Sequence, residues 1–128
     1  MSDDCIFCTF RDERFIGECE HTLTFIDSYP ATPGHTLVVT KRHFASFFEA
    51  TEDELLAIGK AVQKAKVILD EEFSPDGYNI GINVGEAAGQ SVQHLHVHVM
   101  PRYKGDVEDP RGGVRWILKN TASYHDKK

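Results

Sequence analysis

Between residues 94 and 100 the chain reads His94-Leu95-His96-Val97-His98-Val99-Met100, with polar and apolar side chains alternating without a break. Strict alternation predicts a strand, because successive side chains leave opposite faces of the pleat. Leu95, Val97 and Val99 then face a core, while His94, His96 and His98 share the other face, about 6.5–7 Å apart along the strand. Shorter runs rich in β-branched and aromatic residues predict further strands at Phe15–Glu20, Thr22–Asp27 and His35–Thr40. Alternation returns over Gly77–Val84, with Tyr78, Ile80, Ile82 and Val84 on one side and Asn79, Gly81 and Asn83 on the other. Antiparallel pairing of this run with the histidine strand brings the apolar sides together and sets Asn83 on the side of the imidazoles.

The period changes to helical behind Thr51-Glu52-Asp53-Glu54, a capping box in which Thr51 caps and Glu54 reaches back. Leu55, Ile58, Val62, Ala65 and Leu69 then follow one helical stripe, which predicts a single long helix over about 52–72, with Lys60, Lys64 and Lys66 on its solvated face. Two segments punctuate these elements: Ser28-Tyr29-Pro30-Ala31-Thr32-Pro33-Gly34 before the third strand, and Ser74-Pro75-Asp76-Gly77 after the helix. Periodicity is lost after Pro101. Arg102 to Asp106 and Asp109 to Trp116 read as an ordered excursion whose basic residues either reach phosphates or pair with Asp106, Glu108 and Asp109. From about residue 119 the chain reads as a loose tail, and no internal repeat or linker interrupts it.

A length of 128 residues fits one domain with one core. A formal net charge of −6 argues against a long nucleic acid as partner, though a small nucleotide held by local donors is compatible with it. No apolar run is long enough to span a bilayer, and Met1-Ser2-Asp3-Asp4 is neither basic nor apolar, so a cytoplasmic protein without membrane contact is expected.

Candidate chemistry concentrates in three places. Three of the seven histidines stand at period two in one strand. Gly85-Glu86-Ala87-Ala88-Gly89-Gln90-Ser91 leads into that strand, and its glycines let backbone N–H groups approach an anion, with Ser91 adding a hydroxyl. Cys5-Ile6-Phe7-Cys8 has the spacing of half a structural zinc site, with a redox pair and two ordinary thiols as the alternatives. Cys19 has no neighbouring partner and reads as a small packing residue.

Together these motifs resemble the histidine triad (HIT) family of nucleotide hydrolases and transferases. The stretch His94 to Met100 is similar to its His-φ-His-φ-His-φ-φ signature, Gly89-Gln90-Ser91-Val92-Gln93-His94 to the lead-in, Asn83-Val84-Gly85 to the end of the preceding strand, and Pro33-Gly34-His35 to the element supplying a fourth histidine. The resemblance runs from residue 5 to about 116. It implies an α+β fold with a mostly antiparallel five-stranded sheet, one long and one short helix, and a homodimer, with residues 1–128 as a single HIT domain. Pro101-Arg102-Tyr103-Lys104-Gly105-Asp106 is more similar to the fragile-histidine-triad branch, and the Trp-Pro-Pro-Gly segment of the phosphoramidase branch is absent.

What the resemblance implies for function is cleavage at the α-phosphate of a nucleoside 5′-phosphate derivative, such as the dinucleoside polyphosphates Ap3A and Ap4A, through a nucleotidyl-histidine. An adenosine 5′-monophosphoramidase is the nearest alternative, and a nucleotide-binding regulatory or scaffold protein with little turnover is the alternative of another class. His96 would be the nucleophile, with His98 and His35 on the phosphate. Imidazole suits such a step, being neutral and nucleophilic near pH 7 while its phosphorylated form still reacts with water. Asp27, Asn83, Gly89, Gln90, Ser91 and Val92 would contact the nucleotide. By the same resemblance a structural zinc would be bound by Cys5, Cys8, His43 and His94. By the family pattern the chemistry itself would need no metal and no redox cofactor.

Overall fold

The structure is a computed structural model that describes residues 5–8 and 15–118, so the tail expected from about residue 119 lies outside the described residues. Five strands, β1 (Phe15–Glu18), β2 (Thr22–Ile26), β3 (Thr36–Thr40), β4 (Gly77–Gly81) and β5 (His96–Arg102), form one sheet in the order β1-β2-β3-β5-β4. Every neighbouring pair is antiparallel. The single α-helix among the described residues, α1 (Glu52–Phe73), connects β3 to β4 and packs on β2, β3 and β5. The α+β architecture is as expected, except that the one short helix is three 3-10 turns, at Phe47–Glu49, Glu86–Ala88 and Gly113–Ile117. Among the described residues no helix is long and apolar enough to cross a membrane.

The sheet separates two apolar layers. Val38, Leu95, Val97 and Val99 face α1 and pack with Ile58, Ala61 and Leu69. Leu23, Phe25, Leu37 and Val39 face the other way and pack around Phe7, on the same side as His96 and His98. The histidine side is therefore not an open surface, and His96 is only 8% exposed. Alternation alone could not show this second layer, because its cover comes from Phe7, far away in sequence.

The capping box forms as read: Glu54 N–H donates to Thr51 Oγ1 and Thr51 N–H to Glu54 Oε1. Glu54 also takes both prongs of Arg42, Nε to Oε2 at 3.0 Å and Nη2 to Oε1 at 2.8 Å. These donors hold its carboxyl down at about 2, well below the usual carboxylate range. Burying Glu54 turns the helix, so that the buried stripe is Glu54, Ile58, Ala61, Ala65 and Leu69. Leu55, expected inside, is 40% exposed. The Arg42 pair also ties the helix start to the loop that carries His43.

Three strand boundaries differ from the alternation pattern. β5 begins at His96 rather than His94, because the Leu95 N–H donates to Phe44 O at 2.7 Å instead of entering the sheet ladder. It continues through Pro101, which is tolerated because the ladder to β3 ends at Val99 and the missing N–H is not required there. β4 stops at Gly81, so Asn83 and Val84 lie past its end, before the turn at Gly85 with φ of 91°. Gly34 needs to be glycine twice over: its φ is +87°, and a Cβ would come within 3.0 Å of Phe73 and 3.2 Å of Pro101. The turn that delivers His35 can thus sit directly on the end of α1.

Candidate functional site

Register places His96 opposite Val39 and His98 opposite Leu37, so both imidazoles project from the middle of the sheet. Their hydrogen bonds fix where the protons sit. His96 Nδ1 is 2.8 Å from the carbonyl oxygen of His94, which can only accept, so Nδ1 carries the proton and Nε2 keeps its lone pair. A relay runs the other way. The Ala31 N–H donates to His35 Nδ1 at 2.9 Å, leaving the His35 proton on Nε2. That nitrogen is 2.9 Å from His98 Nδ1, nearer than the 3.5 Å to Asp27 Oδ2, so His98 accepts on Nδ1 and presents an Nε2–H.

The electrostatics agree with this assignment. Burial pushes His98 down to about 4, helped by the neighbouring His96 and His35 rings, and burial also lowers His35. Both are neutral at pH 7. The site thus offers an unprotonated nitrogen on His96 beside an N–H donor on His98, their ring centroids 5.1 Å apart. An electrophilic phosphorus met by these groups would find a nucleophile and a donor to its oxygens already oriented.

A cavity of about 580 Å³ opens on these rings. Its polar lining includes Asp27, Ser91, His96 and His98, and Val92 lies there as well. Its apolar wall is Ile6, Phe7, Phe25 and Leu37, none of which the sequence singled out. Phe25 and Leu37 read as ordinary strand core. Ile6 and Phe7 carried one available signal: they are the apolar pair between two cysteines. The Phe7 ring stands 5.0 Å from His96 and 5.6 Å from Phe25, centroid to centroid.

Three residues expected at the nucleotide stand apart from the cavity lining. Asn83 is half-buried beyond β4, and Gly89 closes the 3-10 turn with φ of 91°. Gln90 is buried, and its amide is engaged inside the loop: Oε1 accepts from Gly85 N–H, while Nε2 donates to Ala45 O and Val92 O. It shapes the loop that presents Ser91, rather than facing the cavity as expected.

Cys5, Cys8, His43 and His94 come together, their ligand atoms all within 4.8 Å of one another. His43 Nδ1 is 3.2 Å from Cys8 Sγ and 3.1 Å from His94 Nδ1, and His94 Nδ1 is 3.4 and 3.5 Å from the two sulfurs. Ligands about 2.0–2.3 Å from a tetrahedral zinc stand about 3.3–3.8 Å apart, so the group is close to the edges of such a site. His94 Nε2 donates to Thr40 O at 2.7 Å, which leaves Nδ1 unprotonated and turned toward the thiols. The four residues fit a zinc ion, whose contribution there would be structural, clamping the 5–8 segment to the start of β5.

With the geometry in place, comparison with known proteins defines the class. Residues 10–105 match the HIT domain family, and the chain belongs to that family. It is 44% identical over 108 residues to an uncharacterized HIT-like protein of Methanocaldococcus jannaschii, covering 81% of this chain and 83% of that one. A crystal structure of a zinc-bound histidine triad family protein from Mycobacterium smegmatis superposes with a TM-score of 0.74 at 35% identity, covering 80% of this chain and 78% of the other. A bis(5′-adenosyl)-triphosphatase of Dictyostelium discoideum is 33% identical over 99 residues, 77% of this chain and 66% of that protein.

Proposed function

We propose that this chain hydrolyses dinucleoside polyphosphates at the α-phosphate through a nucleotidyl-His96 intermediate. The observation that carries the reading is the set of three hydrogen bonds that leaves Nε2 bare on His96 and protonated on His98. His96 Nε2 attacks the α-phosphorus, and the P–O bond to the rest of the substrate breaks. The imidazolium formed on His96 is stabilised through its Nδ1–H by the His94 carbonyl. Water then attacks the same phosphorus, the P–N bond breaks back to His96, the water proton goes to solvent, and a nucleoside monophosphate leaves.

The neutral relay favours a polyphosphate over an amine. A neutral imidazole donates a hydrogen bond but not a whole proton, and a terminal phosphate departs as a stable anion with that help alone. An amine requires full protonation. The activity of the Dictyostelium relative supports the same substrate class. Asp27 would take the ribose, Ser91 and the adjoining N–H groups the phosphate, and Ile6, Phe7 and Phe25 the base. Zinc on Cys5, Cys8, His43 and His94 would be the structural metal. Intact His35, His96 and His98 favour turnover over a scaffold role.

A homodimer is the proposed working form. β4 is an edge strand whose Ile80 is 51% exposed, and the Leu55-Gly59-Val62 stripe of α1 leads to Lys66 and Asp70, which touch Tyr78 on that strand. A substrate panel tests the function: Ap3A and Ap4A should turn over faster than adenosine phosphoramidate. Preference for the phosphoramidate would overturn the polyphosphate reading.

A further inference from the structure

A second cavity, of about 840 Å³, lies apart from the one that opens on the histidines. It shares no lining residue with the nucleotide cavity, yet it continues along the same face of the sheet. His96, His98, Met100 and Arg102 alternate along β5, and the last two line this groove. Gly81 stands opposite His98 on β4 and carries no side chain, and even an added Cβ would meet nothing within 4 Å. Ala31, whose N–H holds His35, lines the groove from the other side.

The geometry points to this groove as the subsite for the leaving nucleoside, the half of a dinucleoside polyphosphate that departs when His96 is nucleotidylated. The inference rests on the polyphosphate reading above and adds where the second base goes. Three features select an uncharged aromatic group over more phosphate. The Arg102 guanidinium is already taken by both oxygens of Asp106, at 2.7 and 2.8 Å, and by Asn79 Oδ1 at 2.6 Å, so it offers no open cation. The acidic Glu108 adds negative charge to the lining, and Asp109 is paired with Arg111 at 2.9 Å. The Trp116 ring lies in the groove half-exposed, and its indole N–H is fixed on Arg111 O at 2.9 Å, which makes it a positioned platform for stacking.

Trp116 is the single tryptophan of the chain, so its fluorescence reports on this groove directly. The protein is titrated with AMP and with a methylene-bridged, non-hydrolysable diadenosine tetraphosphate. AMP should bind without changing the emission. The dinucleotide should bind at least about tenfold more tightly and shift or quench it, since base stacking on an aromatic ring supports that gain. Trp116→Leu should abolish the gain while AMP still binds. Equal affinities, or an emission that follows protein concentration because a second copy covers the groove, would overturn the subsite. Failure of AMP itself to bind would overturn the polyphosphate reading beneath it.

Discussion

The Nδ1 of His96 lies 2.8 Å from the carbonyl oxygen of His94, while the His94 ring is turned away among Cys5, Cys8 and His43. One residue therefore serves two sites, its side chain the metal-ligand cluster and its backbone the tautomer of the candidate nucleophile. Any disturbance of the cluster reaches His96 through two bonds of main chain.

Replacing His96 and His98 separates their roles. His96→Ala should lower turnover by at least about 10³-fold, because the two-step route is lost and only positioning remains. His98→Ala removes a donor and should cost about 10²–10³-fold. Because His96 is buried, its alanine variant should also lose about 1–2 kcal/mol of stability, leaving the His94 carbonyl without its donor. Acid-quenched reactions followed by mass spectrometry should find the nucleotidyl group on His96, and finding it on His98 would reverse the assignment.

Gln90→Ala should act on the fold of the loop. Three hydrogen bonds join its amide to Gly85, Ala45 and Val92, so the variant should lose about 2 kcal/mol in denaturant melts. Hydrogen exchange at the amides of Gly85 and its neighbours should accelerate. A variant as stable as the parent but defective in AMP affinity would instead make Gln90 a nucleotide contact.

Acid should weaken the protein in two stages. His98 titrates near 4 folded and near 6.5 unfolded, so between those values the unfolded chain binds the extra proton and stability falls with pH. Glu54, held at about 2, gives stability that is complete above 4.5 and is lost as pH falls toward 2. Melting temperatures from pH 7.5 to 3 should decline across both windows. His98→Gln should flatten the upper one and Glu54→Gln the lower, and unchanged slopes would remove these groups from the account.

Protein purified without added metal should carry about one zinc per chain. Ile6 and Phe7 sit between the two cysteines and form part of the cavity's apolar wall, proposed to hold the base, so chelation should weaken AMP binding several-fold by calorimetry and expose both thiols to alkylation. Zinc far below one per chain, with unaltered AMP affinity, would leave the cluster without that role.

The sequence disclosed elements with a strong period and a local signal. The capping box, the long helix and the pairing of the Gly77 strand with the histidine strand could all be read before any coordinates. What it could not disclose depends on distant partners. Leu55 lost its buried place because Arg42 drew Glu54 inward. His94 left the strand because the neighbouring Leu95 N–H found Phe44. Gln90 and Ser91 are adjacent in a loop, yet only the fold distinguishes the inward amide from the hydroxyl at the cavity.

The two-sidedness of β5 has a consequence for how the chain tolerates change. Val97 and Val99 face the helix layer, and His96, His98, Met100 and Arg102 face the two cavities. Saturation mutagenesis along this strand, scored once for abundance and once for turnover, would give two profiles of period two, offset by one residue. Drift in sequence could therefore retune what the groove beyond His98 accepts at Met100 without passing through a misfolded intermediate, while the adjacent valines stay invariant.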